Sequence, residues 1–150
     1  MISAETAARF LAGPALALVG ASRSERKFGT LALKTLVSKG YRVYPVHPSA
    51  ERINGIACVR RLTDVPEPVS AVVIVVPPAR AIDVIREAHA AGMQRVWLQQ
   101  GSESPQALQV CGELGMEVVS GECVLMFAQP SSYHWLHAKL QRLFSRSAAA

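Results

Sequence analysis

The chain has 150 residues, 50% of them hydrophobic and 18% charged, a composition that excludes a disordered chain and suits one compact domain over 1–150. Its net charge of +5, from 16 Lys and Arg against 11 Asp and Glu, suits an anionic ligand or an acidic surface. Because the cations are scattered and aromatics make up only 6%, the basic stripe and stacking rings of a nucleic-acid groove are missing.

The first ten residues include Glu5 and lack the long apolar core of a signal peptide. A short helix is expected over Glu5 to Leu11, closed by Gly13-Pro14, and then a strand over Ala15 to Gly20. The loop Ala21 to Lys27 leads into a helix from Phe28, whose Leu31, Leu33, Leu36 and Val37 recur at helical spacing before Gly40 stops it. Tyr41 to Val46 is rich in β-formers and ends at His47-Pro48. Ser49 to Pro68 reads as a polar connection, with short elements around Ile56 to Val59 and at Leu62.

Ala71 to Val76 is the most apolar β-branched run and belongs at the centre of a two-sided sheet. Pro77-Pro78 end it, which also keeps it well under the roughly 18 residues of a membrane span. A helix follows over Ala79 to Ala91, with Ile82, Ile85, Ala88 and Ala90 inward, then a strand over Arg95 to Gln99 and a turn at Gly101-Ser102. Ser104 and Pro105 read as the cap and first residue of a helix to Leu114, and Met116 to Val119 as the fifth strand. After Cys123 to Phe127 comes an amphipathic helix over 131–146, with Trp135, Leu136, Leu140, Leu143 and Phe144 on one stripe, suited to packing in cis or against a second subunit.

Strands alternating with helices predict an α/β fold: a doubly wound, mainly parallel sheet of about five strands with helices on both faces. Ligands of such sheets bind beyond the carboxyl ends of the strands, where strand order reverses. The loops concerned are Gly20 to Gly29, Val46 to Ser49, Val76 to Arg80 and Gln99 to Ser102.

Val19-Gly20-Ala21-Ser22 is a strand running into a turn of small residues, the setting in which backbone N–H groups at a helix start meet a phosphate. A dinucleotide fingerprint would add G-x-G-x-x-G and an acid closing the second strand. Here His47 stands in the acid's place, while Arg23, Arg26 and Lys27 fill the loop. That pattern suits a ligand with an extra phosphate near its adenosine, either coenzyme A or NADP.

Val19-Gly20-Ala21-Ser22, Gly40-Tyr41-Arg42-Val43-Tyr44-Pro45-Val46-His47-Pro48, Gly55 with Cys58, and Val96-Trp97-Leu98-Gln99-Gln100-Gly101 together span most of the chain. In these segments it resembles the coenzyme A-binding domain family, small bacterial proteins of Rossmann-like fold related to the amino-terminal part of the succinyl-CoA synthetase alpha subunit. The resemblance implies that Gly20, Ala21 and Ser22, with Lys27 nearby, face the phosphates, and that Val46-His47-Pro48 and Val76-Pro77 line the adenosine site. Members often carry Asn-Pro where this chain has His47-Pro48, and an imidazole can stack on or donate to a nucleotide. Arg80, at the start of the third helix, adds a cation within reach of a phosphate.

Several of these positions also have a plainer reading. Gly20 and Gly29 serve phosphate approach or close helix–strand packing; Ser22 faces the ligand or caps the helix; Lys27 and Arg80 meet a phosphate or solvent; Gly101 lines the site or merely turns the chain. Under the phosphate reading, Gly20→Val would fill the site while the fold survives.

Catalytic signals are lacking: the chain has no G-x-S-x-G and no G-K-[ST]. Cys58, Cys111 and Cys123 are odd in number, with no zinc spacing, and His89, His134 and His137 read as surface or packing histidines rather than metal ligands. Cys123 reads as a structural cysteine, with thiol–disulfide exchange toward coenzyme A as its alternative. The expected function is a cytoplasmic, non-catalytic module for coenzyme A or an acyl-CoA, acting alone, as a homodimer or beside an enzyme subunit. An NADP-dependent reductase, an accessory subunit of an acyl-CoA-using enzyme and a fold that has lost its ligand are the rivals. No nucleic-acid or membrane partner is expected.

Overall fold

The alternating pattern resolves, in a computed structural model that describes residues 3–128, into helices α1 (Ala4–Leu11), α2 (Phe28–Ser38), α3 (Pro78–Ala90) and α4 (Pro105–Glu113). The strands are β1 (Ala15–Val19), β2 (Arg42–Val46), β3 (Arg52–Ile53), β4 (Ile56–Ala57), β5 (Ala71–Ile74), β6 (Arg95–Leu98) and β7 (Glu117–Ser120). The helix expected over 131–146 and the histidines His134 and His137 lie outside the described residues.

β1, β2, β5, β6 and β7 form one parallel sheet in the order β2-β1-β5-β6-β7. The doubly wound α/β architecture is therefore as the sequence pattern requires. Period-two alternation sends Leu16, Leu18, Val73 and Trp97 to one face, where they join Phe10, Leu33 and Leu36 of α1 and α2. Ala17, Val72, Ile74, Val96 and Leu98 face the other way, onto Ala81, Ile85 and Ala88 of α3 and Ala107 and Cys111 of α4. Trp97 is fully buried, with Phe10 edge-on at 5.2 Å.

Several expectations need adjusting. On α2, Leu33 and Leu36 point inward, but Leu31 and Val37 are exposed, and Thr30 and Ala32 occupy the buried stripe instead. Ala90 on α3 is likewise exposed. The polar connection after Pro48 contains a small antiparallel hairpin, with Arg52 opposite Ala57 and Ile53 opposite Ile56. Asn54 and Gly55, both at positive φ, make its two-residue turn. Pro45 sits inside β2, which a proline tolerates because β2 is the last strand of the main sheet.

Candidate functional site

Register sets the geometry. Val46, Val19, Ile74, Leu98 and Ser120 stand side by side across the sheet, so the residues that follow them emerge in one row at its carboxyl edge. From β1 the chain crosses to β2 on one side and then returns past β1 to β5 on the other. The reversal falls between β1 and β5, where such a sheet opens a crevice. Gly20, His47 and Val75 follow directly on β1, β2 and the end of β5.

Gly20 is held by packing. Its φ is +120°, and a Cβ there would run into the backbone carbonyl of Val75. A Cβ on Gly29 would in turn strike the carbonyl oxygen of Gly20. The pair brings α2 and the two central strands together with no room for side chains. Gly20→Val is thus expected to damage the fold itself, which corrects the expectation that the fold would survive it. Ala21 is buried, its side chain part of the α1/α2 face of the core.

Ser22 does not cap α2. Its Oγ accepts from the N–H of Ser24 at 3.1 Å, while its own N–H donates to Thr30 Oγ1 at 3.1 Å. The Thr30 hydroxyl donates back to the Ser22 carbonyl at 2.8 Å, so one buried side chain satisfies both backbone groups of Ser22. Thr30 therefore shapes the loop. Nothing in the local pattern marks it, because the hydroxyl's role depends on the loop folding back over the helix.

The residue preceding α2 is Lys27, which makes no side-chain cap hydrogen bond, and α3 begins from Pro77 without one either. By contrast Ser3 caps α1 and Ser104 caps α4, accepting from Thr6 and Ala107 at 3.1 and 3.0 Å. Neither α2 nor α3 has an acid in its first turn. Both helices start at the crevice and aim their positive ends there. Arg23, Arg26, Lys27 and Arg80 are exposed, and among the described residues none of them enters a salt bridge.

On the β2 side, His47 is half-buried and Pro48 exposed, while the Val46 side chain belongs to the core. The Nδ1 atom of His47 accepts from the N–H groups of Ser49 at 3.1 Å and Ala50 at 2.9 Å. On the β5 side Val76 is buried and Pro77 exposed. The N–H of Val76 donates to the buried Ser102 Oγ at 3.1 Å, which ties the turn after β6 to the end of β5. Gly101 stands in that turn at φ +91°, its N–H taken by the Glu103 carboxylate at 2.8 Å, as a turn residue requires.

The Trp97-to-Gln100 run has a physical task that depends on residues more than twenty positions away. Trp97 Nε1 donates to the Glu122 carbonyl at 3.0 Å, Gln99 Oε1 accepts from the Val124 N–H at 3.0 Å, and Gln100 Nε2 donates to the Gly121 carbonyl at 3.3 Å. These three bonds fasten the loop after β7, which carries the half-buried Cys123. Cys111 is the fully buried thiol, and burial pushes its pKa up; burial also raises that of the half-buried Cys58, opposed by a hydrogen bond at the Ile53 backbone.

Two hollows lie at the opposite, amino-terminal edge of the sheet. One of about 690 Å³ is lined by Leu62, Pro66, Ser70 and Met93, and one of about 460 Å³ by His89, Arg95, Leu114 and Glu117. They lack the converging helix starts and unpaired cations of the carboxyl edge. Among the described residues no cluster of His, Cys, Asp and Glu is suited to a metal, and no helix is long and apolar enough to cross a membrane.

Comparison with known proteins yields four findings. The family model for a CoA binding domain matches residues 15–129. An ADP-forming acetate–CoA ligase of Methanocaldococcus jannaschii is 33% identical over 79 residues, 53% of this chain but 11% of the ligase, so the chain corresponds to a small part of that relative. YneT, an uncharacterized protein of Bacillus subtilis, is 25% identical over 109 residues, 73% of this chain and 81% of YneT. Among solved structures, a conserved hypothetical protein from Pyrococcus furiosus superposes with a TM-score of 0.72 at 38% identity, over 76% of this chain and 98% of that one.

Proposed function

The chain belongs to the CoA binding domain family, and on that footing we propose that it binds coenzyme A or an acyl-CoA in the carboxyl-edge crevice, as a binding module with no catalytic step of its own. The observation that carries this reading is the pairing of two uncapped helix starts, α2 and α3, with the unpaired Arg23, Lys27 and Arg80 around one strand-order reversal. A pyrophosphate and a 3′-phosphate need this kind of surroundings: N–H groups at positive helix ends and cations free of carboxylate partners. The residues present fit the ligand on that count.

Each named position then has a task. Gly20 and Gly29 bring α2 against the central strands, and Ser22, fixed by Thr30, sets the path of the phosphate loop. Lys27, Arg23 and Arg80 supply positive charge, and His47-Pro48 and Pro77 wall the adenosine end. Gly101, Val46, Val76 and Ala21 act through the backbone or the core beneath. A second reading, a module that presents coenzyme A to a partner subunit, is favoured by the match to an acetate–CoA ligase of which the chain covers only a small part.

Thermal unfolding with coenzyme A and with NADP tests the ligand. At a ligand concentration of about 100 times Kd, coenzyme A should add about 2.7 kcal/mol, which for a chain of this length is roughly 5–11 °C in Tm. NADP should add little. No stabilisation at millimolar coenzyme A overturns the reading, and stabilisation by NADP alone favours the reductase.

A further inference from the structure

His47 does more than occupy the wall of the crevice. Its ring nitrogen Nδ1 receives two backbone N–H groups, from Ser49 and Ala50, while its own backbone N–H donates to the Val59 carbonyl at 2.9 Å. A ring nitrogen accepts hydrogen bonds only when it carries no proton, so the neutral ring must hold its hydrogen on Nε2. A charged ring would aim an Nδ1–H at two further N–H donors. The turn from His47 to Ala50 is therefore compatible with the neutral imidazole alone.

That turn is coupled to the loop beside it. Ala50 is buried in the same apolar cluster as Ala21 and Ile53, and the pairing of Val46 with Val19 sets His47 beside Gly20. Losing the Nδ1 acceptor strips Ser49 and Ala50 of their partner and frees the segment that anchors this side of the crevice.

We propose that His47 is a proton-operated latch on the ligand site, closed while its ring is neutral and released when the ring gains a proton, so that ligand affinity falls on acidification. The inference rests on the coenzyme A reading of the same crevice. The ionisable groups of the adjoining segments are Glu51 and Arg52 after the turn, Cys58 and Arg60 around Val59, and Arg23, Glu25, Arg26 and Lys27 in the loop after β1. Among the described residues none of them forms a salt bridge with His47.

The latch has a sign that separates it from simple charge attraction. An imidazolium that only met a phosphate would bind coenzyme A better in acid, and the bound ligand would raise the pH at which the ring titrates. A latch does the reverse, because protons and ligand oppose each other reciprocally. The limiting loss for one proton is tenfold in affinity per pH unit.

The test follows the ring resonances of His47 by NMR across pH, in the full chain with and without saturating coenzyme A. The expected result is an Nε2–H tautomer in the free protein and a titration midpoint that moves to lower pH when coenzyme A is bound. An Nδ1–H tautomer, or a midpoint that stays or rises, overturns the latch. If no resonance anywhere responds to coenzyme A, the function reading fails instead, and the latch with it. His47→Asn supplies a second arm: the carboxamide oxygen can accept the same N–H groups but takes no proton. Calorimetric titration should find its affinity declining less steeply below neutrality than that of the unaltered chain; equal slopes overturn the latch.

Discussion

Replacing Gly20 by alanine separates a glycine that serves the fold from one that serves the ligand. A new Cβ would meet the Val75 carbonyl, and the backbone would have to keep φ near +120°, where L residues are rarely found. Val75 cannot yield cheaply, since its N–H donates to the Val19 carbonyl at 2.7 Å between the two central strands. Overpacking of this kind costs about 1–3 kcal/mol, and the strained backbone about 1–3 kcal/mol more. The sum, about 2–6 kcal/mol, is a large share of the roughly 5–15 kcal/mol that holds a domain folded. Urea unfolding should show the midpoint falling at an unchanged slope, and Tm should drop by roughly 4–24 °C. A Gly20→Ala protein within about 0.5 kcal/mol of the unaltered chain that nevertheless fails to bind coenzyme A would refute the packing argument and restore the glycine to direct ligand contact.

Thr30→Val keeps the side-chain shape but orphans the N–H and carbonyl of Ser22, and should cost about 1–3 kcal/mol in urea unfolding, with Thr30→Ser recovering most of it. Lys27→Ala and Arg80→Ala remove exposed side chains, so stability should stay within about 0.5 kcal/mol, while calorimetry should find coenzyme A affinity about three- to tenfold lower for each. Burial raises the Cys111 thiol pKa, which leaves less thiolate at neutral pH. Iodoacetamide at pH 7.5 should therefore spare Cys111 in the folded chain and label it on unfolding, and mass spectrometry of the digest reports which cysteine reacted.

The alternation of strands and helices was legible because each kind of element carries its own local mark. Ala71 to Ile74 is buried on both faces and reads as an unbroken apolar run, and Gly40, Gly92 and Gly115 mark helix ends by chemistry that needs no tertiary partner. The hairpin turn at Asn54-Gly55 was also written in the sequence, as the residue pair such a turn prefers, but its strands are only two residues long and give no alternation to notice. The loops of the candidate site followed from the parallel topology alone. What individual side chains do there did not, because Thr30 meets Ser22 across eight residues, Ser102 meets Val76 across 26, and Gln99 meets Val124 across 25. Gly20 shows the limit most clearly: a glycine in such a turn answers to a phosphate or to a neighbouring strand, and the strand's demand is visible only in the position of the Val75 carbonyl.

Backbone amide resonances followed during a coenzyme A titration report whether the ligand sits at the carboxyl edge between β1 and β5. Shifts should concentrate in 20–30, 47–50 and 76–81, with the amino-edge residues 91–94 and 114–117 unmoved. Saturating coenzyme A that leaves the spectrum unchanged, or shifts gathered at the amino edge, would contradict that placement.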